Sequence, residues 1–283
     1  MRRILVFMAI VLVSVTVWGR ADAGGQQTEA TMVVAAKMRI SAAGDVESFA
    51  LDGRDALPEG VARLLERQVP AWKFKPVLQD GVPTPVGALA HIRVRARPRE
   101  DGRFNLEVVG ATFGDEAVAG GLSLIELTDD TRPRYPVLLQ GEGVAGIVYL
   151  FMEVSREGRV TRVATEQVNL TQYPRHGPSV VYMRDQLARA ALKAVERWTF
   201  TTPTRGELAG DPYWNARVPV VFRPYADSPS GPGYGQWEAY LPGPRTQPDW
   251  IAAGEGGSDA LPPDTISLVD PDAPQLLTQL GGR

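Results

Sequence analysis

The sequence predicts an α+β fold: two tandem two-layer modules, each a three-stranded antiparallel sheet packed by a helix, with a Pro/Gly-rich C-terminal tail. Three observations predict it: an internal repeat, the same run of element signals in each copy, and a change of composition at Tyr225. The repeat aligns directly. Thr31 to Val46 (TMVVAAKMRISAAGDV) matches Ala145 to Val160 (AGIVYLFMEVSREGRV), pairing Met38 with Met152, Ser41 with Ser155, Gly44 with Gly158 and Val46 with Val160. Self-similarity of this kind marks one supersecondary unit used twice.

The chain opens with Arg2 and Arg3, an apolar run from Ile4 to Trp18 and the small residues Ala21-Asp22-Ala23. This is the pattern of a secretory leader over residues 1–23, cleaved before Gly24. The apolar run is short for a membrane span, so a retained inner-membrane anchor is the secondary reading. With no cysteine in the chain, disulfides, thiolate metal sites and a cysteine nucleophile are excluded. Export without disulfides points to a periplasm.

A first copy is expected over 28–115 and a second over 130–224. In the second, Val148, Leu150, Met152 and Val154 alternate with Tyr149, Phe151 and Glu153, a strand with one row on a buried face. Glu157-Gly158 supplies a hairpin turn, and Gly44 holds the matching place in the first copy. An amphipathic helix follows: Met183, Leu187, Ala190, Ala191, Ala194, Val195 and Trp198 recur at three and four, as do Val61, Leu64, Leu65, Val69 and Trp72. Pro58 suits a helix start, whereas Pro70 should end one. Both helices run into a shared exit, Trp72-Lys73-Phe74 and Trp198-Thr199-Phe200. Trp72 and Trp198 read as packing residues. Closing strands are expected from Ala90 to Pro98 and from Arg217 to Pro224, with extra loop in the second copy around Asn169 to Ser179.

Residues 225–283 turn to Pro, Gly, Ser and Asp, with Tyr234, Trp237, Tyr240 and Trp250 interspersed. Such a segment cannot bury enough apolar area to fold alone and is expected to be largely irregular.

The formal charge of -3 rests on 30 basic against 33 acidic residues, so no field favours nucleic acid. Catalysis finds no support either. Gly141-Glu142-Gly143-Val144-Ala145-Gly146 fits GxGxxG but leads into a strand, not the helix that a dinucleotide site needs. His91 and His176 have no companion at metal spacing. The expectation is a protein that is not an enzyme and has no catalytic residue, cofactor or metal.

The second copy resembles the TonB C-terminal domain family. The resemblance rests on Tyr135-Pro136 before the first strand, Gly146 opening it, Glu157-Gly158-Arg159-Val160 at the hairpin, Ala190 to Phe200 (AALKAVERWTF) and the closing Val218-Pro219-Val220-Val221-Phe222. The first copy is a divergent version, similar mainly at Trp72-Lys73-Phe74-Lys75-Pro76 and Asp80-Gly81-Val82-Pro83. The resemblance implies a periplasmic, TonB-like protein linked to envelope transport, binding an extended peptide or a partner strand at a sheet edge. It implies an outer-membrane transporter or another envelope protein as partner, with Arg132, Arg134, Tyr135, Val218, Val220 and Phe222 at the partner-binding edge. Arginines at 132 and 134, where the transducers carry glutamine, and the lack of a histidine in the leader argue against an inner-membrane, proton-driven motor. The alternative is a structural scaffold or dimerisation module of the cell envelope, a homodimer included.

Two smaller features stay open. Arg93, Arg95 and Arg97 alternate on one strand face and read as edge protection on a solvent face or as a partner site. Asp264-Thr265-Ile266-Ser267-Leu268-Val269 is either a chance match in an irregular tail or a strand that occupies the second copy's own edge.

Overall fold

The computed structural model describes residues 28–99, 101, 103–115, 123–124, 128, 130–204, 207–225, 233–251, 258–263, 265–269 and 273–281; the expected leader at 1–23 lies outside them. The chain is α+β and strand-rich, with two main antiparallel sheets of five and four strands and two α-helices among the described residues.

In chain order the elements are β1 (Glu29–Ile40), β2 (Val46–Leu51), α1 (Glu59–Gln68), the short pair β3 (Leu78–Gln79) and β4 (Val82–Pro83), β5 (Val86–Pro98), β6 (Phe104–Asp115) and β7 (Ser123–Leu124). There follow β8 (Ala145–Ser155), β9 (Val160–Gln172), α2 (Val180–Val195), β10 (Phe200–Thr201), β11 (Tyr213–Phe222), β12 (Glu238–Tyr240) and β13 (Ser267–Leu268). The first sheet runs β12-β1-β5-β6, with β2 sharing the β12 edge of β1. The second runs β13-β11-β8-β9.

Each sheet is built from alternation. Met32, Val34, Ala36, Met38 and Ile40 of β1 and Ala88, Ala90, Ile92 and Val94 of β5 turn to α1, where Val61, Leu64 and Leu65 meet them. Val148, Leu150, Met152 and Val154 meet Met183, Leu187, Ala191 and Val195 of α2 in the same way. Trp72 and Trp198 are buried in these cores, as expected. Ser179 caps α2 by accepting the Tyr182 N–H. Pro70 lies in a 3-10 turn after α1, so that helix stops at Gln68.

The hairpin glycines have a second function beyond turning the chain. Gly44 has φ +88 and Gly158 φ +74. The carbonyl of Gly44 accepts the Phe74 N–H, and that of Gly158 accepts the Phe200 N–H, both at 2.8 Å. Each exit is thereby tied to the hairpin of its own sheet. The bridges Asp45 to Lys73 and Arg159 to Thr199 repeat the same contact one residue away.

Four features differ from expectation. Strand β9 extends through Asn169 to Gln172, so the extra loop before α2 begins only at Tyr173. The first sheet gains β6 beyond its closing strand, because Phe104 to Asp115 pairs with β5 along its length. Both faces of β8 are buried, since Tyr149 and Phe151 are covered as fully as the row facing α2. The tail, although mostly irregular, folds back on both sheets: β12 adds to β1, Leu241 pairs with Leu170, β13 adds to β11, and Leu276 pairs with Phe74. Trp237 packs on the first core, and Trp250 lies over the Arg162 guanidinium. Among the described residues no helix is long and apolar enough to cross a membrane.

Candidate functional site

Strand β11 holds the edge expected to bind a partner. Ala216 pairs with Leu268 and Arg217 with Ser267, and the Asn215 carbonyl accepts the Val269 N–H at 2.8 Å. Backbone groups of an antiparallel strand alternate sides, so residues 215, 217, 219 and 221 face outward. The groups of Val218, Val220 and Phe222 face β8, opposite Leu150, Val148 and Gly146, and their side chains are buried in the α2 core. These three therefore have neither backbone nor side chain available at the edge. The outward positions are Pro219 and Val221, which differ by one step in parity from the expected residues. Proline has no N–H to donate, as its place on an edge requires. Among the described residues, strand pairing on this side of β11 stops at Arg217.

The end of that edge opens onto a groove of about 350 Å³ lined by Pro133, Tyr135, Val221, Phe222, Arg223, Pro224 and Tyr225. Tyr135 thus lies at the end of that edge. Its hydroxyl donates to the Val144 carbonyl at 2.8 Å, which holds the segment before β8 in place. Arg132 and Arg134 flank it as exposed side chains, with Arg134 3.7 Å from Asp130. An ion pair so exposed adds little stability.

The arginine row of β5 is not on solvent. Strand β5 is central, between β1 and β6, and its second face turns to the second sheet and the tail. Arg93 donates to Thr31 Oγ1 at 3.0 Å and to the Tyr149 hydroxyl at 3.2 Å, lies 3.7 Å from Asp259, and sits over the Tyr240 ring. Arg95 bridges Glu29 and Glu107, both at 2.8 Å. Only Arg97 is exposed. Edge protection is thus replaced by a buried polar layer that joins two sheets and the tail. The second sheet adds its own buried pair, Arg217 with Glu166 at 3.0 Å, the guanidinium lying over Phe151.

Burial pushes the Tyr149 phenol up to about 12, so it stays a neutral donor in this layer. The Arg95 guanidinium holds the Glu107 carboxyl below its usual range. Burial lowers His91, which shares the row of Arg93 and Arg95. The unfolded chain therefore takes up this proton first, so stability is full above the unfolded histidine value of about 6.5 and falls as the pH drops below it. Urea denaturation from pH 7.5 to 5 is expected to show that loss, and His91→Gln should flatten the slope. An unchanged slope would contradict the burial assigned to His91.

Among the described residues no group of three or more His, Asp or Glu side chains could hold a metal ion. His91 is in β5 and His176 in the loop before α2. Comparison with known protein families, curated proteins and solved structures brings up no match.

Proposed function

We propose that the chain is a periplasmic, TonB-like envelope protein, linked to envelope transport, that captures an extended peptide or partner strand at the outward edge of β11. It carries two copies of one strand-strand-helix-strand module, the first divergent. Support for the copies comes from the matched pairs Gly44 with Phe74 and Gly158 with Phe200. The observation that carries the binding role is the part of the edge that no described strand pairs with. Among the described residues pairing ends at Arg217, and Pro219, itself buried, and half-buried Val221 run on toward the groove of Pro133 and Tyr135. A row of backbone groups without a strand is a template for strand addition. The partner in this reading is an outer-membrane transporter or another envelope protein.

A structural scaffold is the second reading. It is favoured by β6, β12 and β13, with which the chain covers three of its own strand edges. One amide separates the two. The N–H groups of Val218, Val220 and Phe222 are bonded toward β8 in either case, and Pro219 has none, so Val221 alone reports on the open edge. For a capture module, the Val221 amide exchanges fast in the isolated protein and slows when a transporter-derived peptide is added. Protection of Val221 without any partner would overturn capture in favour of the scaffold. Val221→Pro should abolish binding while leaving the β8 ladder intact, since the lost N–H points outward.

A further inference from the structure

The two exits share an arrangement that the closing edge does not explain. On one side, Phe74 and Phe200 donate to the hairpin carbonyls of Gly44 and Gly158. On the other side, each exit is paired with an extended segment from a distant part of the chain. Phe200 stands opposite Leu124 in the β10–β7 pair, and Phe74 stands opposite Leu276, both antiparallel. In both cases the backbone register sets a leucine position opposite the exit phenylalanine.

At the first exit the bonding is resolved in detail. The Lys75 N–H donates to the Gln275 carbonyl at 2.9 Å, the Leu277 N–H to the Lys73 carbonyl at 2.8 Å, and the Lys73 N–H to Thr278 Oγ1 at 2.8 Å. Leu276 and Leu280 pack on the α1 core but are only half-buried, and Gln275 and Leu277 are exposed. Alongside runs a groove of about 370 Å³, lined by Arg67, Gln68, Trp72 and Leu106 on one side and Thr278 to Gly281 on the other. The outward groups of Lys73 and Lys75 belong to the exit that the hairpin at Gly44 holds, and the segment that meets them is held by a few bonds near the surface. Contacts of this kind open at low cost relative to the core beneath.

We infer that the first exit is an acceptor site for an extended Leu-x-Thr peptide, with leucine opposite Phe74 and the threonine hydroxyl on the Lys73 N–H. The C-terminal segment Gln275 to Thr278 is its resident occupant. The site is separate from the outward edge of β11 and does not depend on it.

The test uses the full chain with Leu276→Asp, which ejects the occupant, and a labelled peptide of residues 273–281. In the variant the Lys73 and Lys75 amides should exchange fast while Phe74, bonded to Gly44, stays protected. Added peptide should bind saturably and restore protection at Lys73 and Lys75, without slowing Val221. Wild-type protein should bind it about tenfold more weakly, because its tethered segment competes at high effective concentration. A peptide carrying Asp in place of Leu276 should not bind. Leu277→Pro provides an independent vacated form, since it removes a donor from an exposed residue and leaves the core leucines in place. Failure of the peptide to bind either variant while Phe74 remains protected would overturn the proposal, as would equal binding of the Asp-substituted peptide.

Discussion

Gly158→Ala is expected to destabilise the protein by about 3 kcal/mol, the joint cost of a left-handed backbone for an L side chain and of a disrupted buried hydrogen bond. A Cβ at this position would stand 2.0 Å from the Phe200 carbonyl oxygen, which is backbone and cannot turn aside. To relieve the clash the exit must move off the hairpin, and the 2.8 Å bond from Phe200 to Gly158 goes with it. Gly44→Ala meets the same obstacle, 2.0 Å from the Phe74 carbonyl oxygen at φ +88. The control is Gly141→Ala: φ is +85 there, yet nothing lies within 4 Å of the added carbon. That change should cost only about 1 kcal/mol, the backbone term alone. Urea denaturation of the three variants measures the difference. Equal costs at 141 and 158 would mean that the exits are not tied to the hairpins.

Much of the fold was legible because its signals are local. The glycine turns, the apolar stripes from Val61 and Met183, and the Trp-x-Phe exits all sit within a few residues of what they determine. Strand β6 was legible in principle: Asp101-Gly102 is a hairpin signal, and Leu106 and Val108 alternate after it. Arg93 and Arg95 were misread because charge in a strand ordinarily means solvent. Arg93 meets Tyr149 of the second sheet and Asp259 of the tail, far away in sequence, and Arg95 is held by Glu29 and Glu107 of the flanking strands. The tail itself hides its role, since each attachment is two or three residues long and shows no period. At the candidate site, Tyr135 lines the groove at the end of the edge, while Val218, Val220 and Phe222 are one step out of register with it. Their apolar character, which drew attention to them, is what commits them to the core.

Glu166→Ala is expected to cost about 3–5 kcal/mol, the usual loss when one member of a buried ion pair is removed. Glu166 and Arg217 have side chains only 7% and 9% exposed, at 3.0 Å. Alanine would take the carboxylate from a buried guanidinium. Glu166→Gln keeps an acceptor and should lose less. Replacing both partners, Glu166→Leu with Arg217→Met, should recover most of the loss, because the cost of the single change lies in the stranded charge. Thermal and urea denaturation of the wild type, Glu166→Leu, Arg217→Met and the double variant form a closed cycle. Additive losses in the double variant would show that the two side chains do not act as a pair.

The tail contacts also set a timetable for folding. Glu29 is met by Tyr240 and Lys73 by Thr278, partners separated by 211 and 205 positions. During synthesis the first strand therefore emerges long before the residues that finish its edge have been made. Closures of that length are slow, because most of the chain must be arranged before they yield any gain. For that interval the nascent chain presents the edges that the tail will later cover to whatever surrounds it.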